Sequence, residues 1–261
     1  MTASALARST TPMSPARLYW YRGSERERRN FGDSVAPLLL RSLSGREPVW
    51  CAGPEAELVT IGSVMSQIPD RWSGVVLGTG TIRAGLRRDL SRARVLAVRG
   101  ARTREACALP PRTALGDPGI LVPDLFPDVR RSATVPVVVV PHYVDKDLAR
   151  RYPTAERVDI LSDHRTVLAG IARGRLVVTS SLHAMIAADA LGVPHMVEPH
   201  PRVIGGLWKF EDYASAFGSG VRPVRPGVRR LTDRSAMVER KAEMRSLYHS
   251  LRLPNALARR T

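Results

Sequence analysis

Only two cysteines, Cys51 and Cys107, occur in the 261 residues. They lie far apart and belong to no CxxC or Cys/His cluster, so neither a disulfide framework nor a structural zinc site organises the chain. Aromatic residues are scarce at 5% and do not interleave with basic residues in the way that stacks nucleic-acid bases. No apolar run approaches the length that spans a bilayer, and the stretch before Arg17 lacks the apolar heart of a signal peptide. A cytoplasmic protein is therefore expected. Lysine is rare as well, occurring only at Lys146, Lys209 and Lys241, yet Lys and Arg total 40 against 24 Asp and Glu, a net charge of +16. The excess is arginine spread along the whole length, which suits anionic substrates better than a dedicated nucleic-acid face. Nucleic acid is accordingly not an expected partner; a polyanion-binding protein would instead show salt-sensitive binding without turnover.

What is present is a chain long enough for two modest domains, with 44% apolar residues, ordinary for a soluble globular protein. One stretch organises it, Leu176 to Pro194, LVVTSSLHAMIAADALGVP. A short apolar run, a turn of Thr179, Ser180 and Ser181, and an Ala-rich segment at helical spacing read as a buried strand feeding a helix. Ser180 or Ser181 caps the helix, and Gly192 with Pro194 ends it. His183 then lies in the first turn at the carboxyl edge of a parallel sheet, where α/β folds place ligands and a helix end welcomes an anion. Acid chemistry on a phosphorylated substrate follows as a reading, against the blander one of a packed histidine.

The remaining segments repeat the pattern. A tail over 1–16, rich in Ser, Thr, Ala and Pro, reads as disordered. A domain over 17–124 begins with a strand at Leu18 to Tyr21 and a helix capped by Asp33 or Ser34, so Asn30, Gly32 and Asp33 form a loop tip at a strand end. Pro48 to Ala52, Glu57 to Ile61, Ser73 to Leu77 and Arg94 to Val98 read as strands. Gly78, Thr79 and Gly80 make a small-residue turn able to bring backbone N–H groups to a ligand. Arg99 and Arg102 stand at a strand end beside a helix start, an anion clamp in the making. Asp117 lines a site or holds a turn. A Pro-rich, charged linker covers 125–135.

A second domain, 136–228, opens with the β-branched run Val137 to Val140, followed by His142 as a ligand-binding or proton-transfer candidate. It continues with a strand at Val158 to Leu161, a helix over Ser162 to Arg173, the organising stretch, a strand at His195 to Val197 and a helix carrying Lys209, which could reach a cleft. Trp208, Phe210 and Tyr213 read as packing residues. A last helix within 229–261 is long enough to cross back to the first domain. Two consecutive βαβ-type halves imply two Rossmann-like, doubly wound α/β domains with an interdomain cleft.

Six short motifs occur in a fixed order: YWYRG with NFGDSVAPLLL, VLGTG, VRGARTRE, GDPGILVP, VPHYVD and TSSLHAMIAADALGVP. Together, across Leu18 to Gly218, they resemble the polysaccharide pyruvyl transferase family, and most of all its succinoglycan-type bacterial branch. The resemblance implies a glycosyltransferase-B-like fold and transfer of pyruvate from phosphoenolpyruvate, as co-substrate, onto two hydroxyls of a sugar to give a cyclic ketal; no cofactor is expected, and no ligand cluster in the sequence demands a metal. The acceptor would be a glycan or lipid-linked oligosaccharide, with peripheral contact at the inner face of the membrane. By the same resemblance His183 is the general acid, the NFGD aspartate falls on Asp33, which assists the acceptor hydroxyl, and the VRG arginine falls on Arg99, which binds the donor; Arg102, Ser180, Ser181, Leu182, Lys209 and His142, read from their places at strand ends and helix starts, complete the expected donor side. Asn30, Gly32, Gly78, Thr79, Gly80 and Asp117 fall on the acceptor or cleft side. Many members carry arginine where this chain has Ser181, so the donor must be held by other groups. A nucleotide-sugar glycosyltransferase of the same architecture is the competing reading, opposed by the lack of a carboxylate pair for a ribose in the C-terminal half.

Overall fold

The computed structural model describes residues 14–218, 224–253 and 256–257. Most of the expected tail, 1–13, and the Gly/Arg segment at 219–223 lie outside the described residues. Residue 16 already belongs to the first strand.

Strands β1 (Ala16–Tyr19), β2 (Pro48–Trp50), β3 (Leu58–Val59), β4 (Val75–Leu77), β5 (Arg94–Val98) and β6 (Ala114–Leu115) form one sheet in the order β2-β1-β3-β4-β5-β6. A second sheet runs β10-β9-β7-β8, from β7 (Val135–Val140), β8 (Glu156–Arg157), β9 (Gly174–Thr179) and β10 (His195–Val197). Every pairing between these strands is parallel. The carboxyl ends of all strands in each sheet therefore share one edge, and the loops leaving that edge are free to build a site.

Helices α1 (Phe31–Ser44), α2 (Ala101–Ala106), α3 (Leu148–Arg151), α4 (His164–Arg173), α5 (Leu182–Leu191), α6 (Trp208–Ala214) and α7 (Arg234–Ser250) complete the fold, with a 3-10 helix at Pro118–Leu125. The start of the expected linker thus belongs to that 3-10 helix. The side-chain alternation of the strands explains the core. Leu18, Val75, Leu77, Val138, Val140 and Val177 point into one cluster shared with Val35, Leu39, Leu168, Met185 and Ile186 of the helices. Their neighbours Tyr19, Val76 and Val98 face a second cluster, and Val139 and Val178 a third. One unbroken apolar cluster thus joins the inner faces of the two sheets.

Helix α7 contributes Met237, Met244 and Tyr248 to that shared cluster. The Tyr248 hydroxyl lies 2.9 Å from Thr60 Oγ1, and Lys241 Nζ donates to the Ala190 carbonyl at 3.0 Å. The last helix is therefore fastened to both halves of the chain.

Two local expectations are corrected. Val158 to Leu161 is not a strand: Asp159 accepts from Leu161 N through its side chain and from Ser162 N through its carbonyl, both at 3.0 Å. Local bonds of this kind compete with a ladder, so Val158, Ile160 and Leu161 are buried in a turn. Helix α1 begins at Phe31, before the expected caps, with Asp33 inside its first turn. The start is fixed from outside, by Phe31 N donating to the Ile160 carbonyl at 3.1 Å and Ser34 Oγ lying 3.0 Å from His164 Nε2.

Candidate active site

A cavity of about 320 Å³ opens between the carboxyl edges of the two sheets. From the first half it is lined by Tyr21, Asn30 and Asp33 after β1, Ser63, Val64, Ser66 and Gln67 after β3, and Ile82 after β4. From the second half come His142, Tyr143 and Val144 after β7, Ser181, Leu182 and His183 after β9, Arg202 and Ile204 after β10, and Lys209 of α6.

His183 is placed by the turn that leaves β9. Thr179 Oγ1 donates to the Val140 carbonyl at 2.6 Å and accepts from Ser181 N at 2.9 Å, so the chain folds tightly into α5. Ser181 occupies the N-cap without a capping side-chain bond, and His183 is the second helical residue. The imidazole then enters a slot walled by glycines from three segments, the first turn of α1, the loop after β3 and the 3-10 helix. A β-carbon built on Gly32 would fall 1.8 Å from His183 Nδ1, one on Gly62 3.7 Å from Nε2, and one on Gly119 3.9 Å from Cδ2. Only glycine allows α1 to approach the ring so closely. His183 Nε2 is enclosed and has no hydrogen-bond partner among the described residues, an unusual state for a buried polar atom and one that often marks function. Burial first, then Lys209, Arg99 and His142, push its pKa down to about 3. These surroundings favour the neutral ring.

Asp33 faces the same point. The hypothetical β-carbon of Gly62 lies 3.4 Å from Asp33 Oδ1, against 3.7 Å from His183 Nε2, so carboxylate and imidazole flank one small volume. Asn30 Nδ2 donates to Asp33 Oδ2 at 2.5 Å. Burial raises the Asp33 pKa to about 6, while the Asn30 bond and the Lys209 charge hold it from rising further. Lys209 is buried in the opposite wall and has no ion-pair partner among the described residues. Burial and then Arg99 lower its pKa to about 8, with Asp33 pulling the other way. His142 is held at about 4 by burial and by Lys209. Its amide donates to Ser180 Oγ at 2.9 Å, which makes Ser180 a brace behind the wall.

Arg99 takes a different position from an open clamp. It is fully buried and its donors are engaged: Nε on Asp212 Oδ2 at 2.9 Å, Nη1 on Ser63 Oγ at 2.5 Å and Nη2 on the Thr81 carbonyl at 2.6 Å. Its charge lies beneath the cavity floor, reaching it through Ser63. Arg102 pairs with Glu211 at 3.0 Å and stacks over Trp208, away from the cavity. The Gly78-Thr79-Gly80 turn also stays behind the floor. Thr79 Oγ1 donates to the Gly62 carbonyl at 3.0 Å, and a β-carbon on Gly80 would strike the Arg99 guanidinium at 2.4 Å. Asp117 caps the 3-10 helix, accepting from Gly119 N at 2.9 Å, and does not line the cavity.

Absent from the expected set are Arg202, Ser63 and Tyr143. Arg202 follows β10 in the run EPHPRVIGG, and the strand-end position that marks the other loops was the available signal. Its nearest acid is Asp147, at 3.7 Å. Among the described residues, ligand atoms of Asp145, Asp147 and His200 lie within 4.8 Å of one another beside this loop. His200 Nδ1 accepts from Arg202 N at 3.2 Å, which leaves the ring proton on Nε2, facing Asp147 at 3.6 Å and Asp145 at 3.9 Å.

Residues 68–199 match the family model described as polysaccharide pyruvyl transferase. The chain belongs to the polysaccharide pyruvyl transferase family. The span that matches contains Arg99, His142 and His183. Among curated relatives, the succinoglycan biosynthesis protein ExoV of Rhizobium meliloti (strain 1021) is 28% identical over 221 residues, covering 79% of this chain and 66% of that protein. An uncharacterized protein, L143, of Acanthamoeba polyphaga mimivirus is 35% identical over 119 residues, 40% of each chain. The matched segments thus span less than two thirds of either relative. Among the described residues, no helix of this pyruvyl transferase family member is long and apolar enough to cross a membrane.

Proposed function

We propose that this chain transfers pyruvate from phosphoenolpyruvate to two hydroxyls of a sugar in an exopolysaccharide or cell-surface glycan precursor, forming a cyclic ketal. We read the two sheets as paired Rossmann-like units in a glycosyltransferase-B-like arrangement, a reading supported by the carboxyl edges that share one cavity. The observation that carries the functional reading is the convergence of an unpartnered imidazole, a carboxylate and an unpaired ammonium on that cavity. Family membership supports pyruvyl transfer; the donor and the residue roles are our proposal.

The chemistry follows from the donor. Protonation of the methylene carbon of an enol phosphate leaves positive charge on the adjacent carbon, so an acid must stand over the double bond while cations hold the phosphate and carboxylate. Lys209 and Arg202 are the cations that line the cavity, and they take the place of the arginine that Ser181 replaces. Arg99 adds its charge from below through Ser63. The donor's negative charge opposes burial and the Lys209 and Arg99 charges that depress His183, and so raises its pKa on binding. His183 gives its proton to the methylene carbon, and a sugar hydroxyl adds to the adjacent carbon as Asp33 takes the hydroxyl proton. Phosphate departs with its bonding electrons and takes up the proton held by Asp33, while the second hydroxyl closes the ring and its proton returns to His183.

His183→Gln should lose ketal formation altogether while keeping the wild-type melting curve. The check is phosphate release from phosphoenolpyruvate together with a new ketal methyl signal by NMR in the presence of an oligosaccharide acceptor. Undiminished ketal formation in the variant would remove His183 from the mechanism.

A further inference from the structure

Beside the cavity mouth, in a chain with few aromatic residues, four large side chains collect at the carboxyl ends of β1 and β2. Strand pairing sets Leu18 against Trp50, so Trp20, two residues further on, comes alongside that indole. Trp50 Nε1 donates to the Trp20 carbonyl at 3.1 Å. The Arg22 guanidinium stands over both rings, 5.7 Å from the Trp20 centroid and 5.2 Å from that of Trp50. Such cation–π contacts fix ring planes. Between Trp20 and Arg22, Tyr21 faces the other way and lines the cavity, as alternation in extended backbone requires. The group is not covered by the fold: Trp50 is 41% exposed, Tyr21 38% and Val49 48%.

We propose that Trp50, braced by Arg22 and Trp20, is a stacking subsite for the sugar units that flank the residue being pyruvylated, with Tyr21 marking the passage from platform to cavity. The inference rests on the pyruvyl-transfer reading and adds the length requirement of its acceptor. A sugar ring presents a face of C–H bonds with partial positive charge, which packs on the negative face of an indole, while its hydroxyls need donors at the edge. Trp50 supplies the face, and Arg22, which makes no ion pair among the described residues, supplies the donors. Exposed aromatic and aliphatic surface next to a polar pocket marks an interaction site. A glycan is favoured over a lipid surface because the planes are held rigid, carry a cation between them and run directly into the cavity.

The test is titration of the full chain with gluco- and galacto-oligosaccharides, α- and β-linked, of one to four units, followed by tryptophan fluorescence and saturation-transfer NMR. Affinity should rise with length and fall about tenfold in Trp50→Ala, with partial recovery in Trp50→Phe. Length-independent binding, no binding across the panel, or no change in Trp50→Ala overturns the subsite. So does loss of co-sedimentation with phosphatidylglycerol vesicles in Trp50→Ala alongside unaltered sugar binding, which makes the patch a membrane contact. Phosphoenolpyruvate binding by the unsubstituted chain is measured in parallel. Sugar binding without donor binding sinks the pyruvyl-transfer reading alone, and donor binding without length-dependent sugar binding sinks the subsite alone.

Discussion

At the scale of single residues, the site is governed by a missing side chain. Gly32 sits inside α1, where alanine ordinarily stabilises a helix by about 1 kcal/mol over glycine. Here the added methyl would meet the His183 ring at 1.8 Å. Gly32→Ala should therefore lower thermal stability and reduce turnover by at least about a hundredfold, since a shift of roughly 1 Å in a reacting group has that cost; calorimetry and the phosphate-release assay together check it. The two titrating groups give a second expectation. Asp33, raised to about 6, is a base only above that pH, and Lys209, lowered to about 8, is a cation only below that value. The pH profile of kcat, which reports the donor complex in which His183 carries its proton, should rise as Asp33 ionises and fall as Lys209 loses its proton. Asp33→Asn should remove the acid limb, and a profile unchanged in that variant would show that another group is titrating.

At the scale of elements, α6 is the part whose placement matters most. Asp212, one turn after Lys209, accepts from Arg99 Nε at 2.9 Å, Thr103 N at 2.8 Å and Thr103 Oγ1 at 2.6 Å, and is wholly buried. Asp212→Asn leaves a guanidinium buried without its counter-charge. The expected loss is about 3–5 kcal/mol of stability by urea unfolding, together with a raised donor KM because Lys209 and Ser63 lose their common anchor. Loss of stability with unchanged donor affinity would limit Asp212 to a structural role. None of this was legible locally. The β-branched run at β7 and the short apolar runs at β1, β5 and β9 announced strands because packing on both faces selects such residues. The cavity positions of His183, Asp33 and His142 were legible because each lies in the segment that follows such a strand. Arg99 follows one too, but its partner stands on another element 113 residues away, and no local spacing reveals whether a guanidinium meets a ligand or a carboxylate of its own chain. Val158 to Leu161 has a strand's composition and forms a buried turn because Asp159 captures the backbone bonds.

At the scale of the whole molecule, the shared apolar cluster decides how the two sheets behave. Leu18, Val138, Val177, Met244 and Tyr248 belong to it together, so neither sheet has this part of its core to itself. Heat should unfold the chain in one transition, with near-ultraviolet and far-ultraviolet circular dichroism superimposing. Met244→Ala, in α7 and remote from the cavity, should lower stability by about 2–5 kcal/mol and still leave a single transition. Two separated transitions would mean that the sheets have independent cores.

The same continuous seam bears on how a long carbohydrate reaches the chemistry. Halves joined through common interior surface cannot swing apart like jaws without exposing that surface to water, at about 25 cal/mol for each Å² uncovered. The spacing between Asp33 on one wall and Lys209 on the other is then set before any substrate arrives. On the proposed pyruvyl-transfer reading, a polymer would thread past Tyr21 and the loop bearing Ile204, and the pair of hydroxyls that receives pyruvate would be chosen by which section of the strand fits a gap of fixed width.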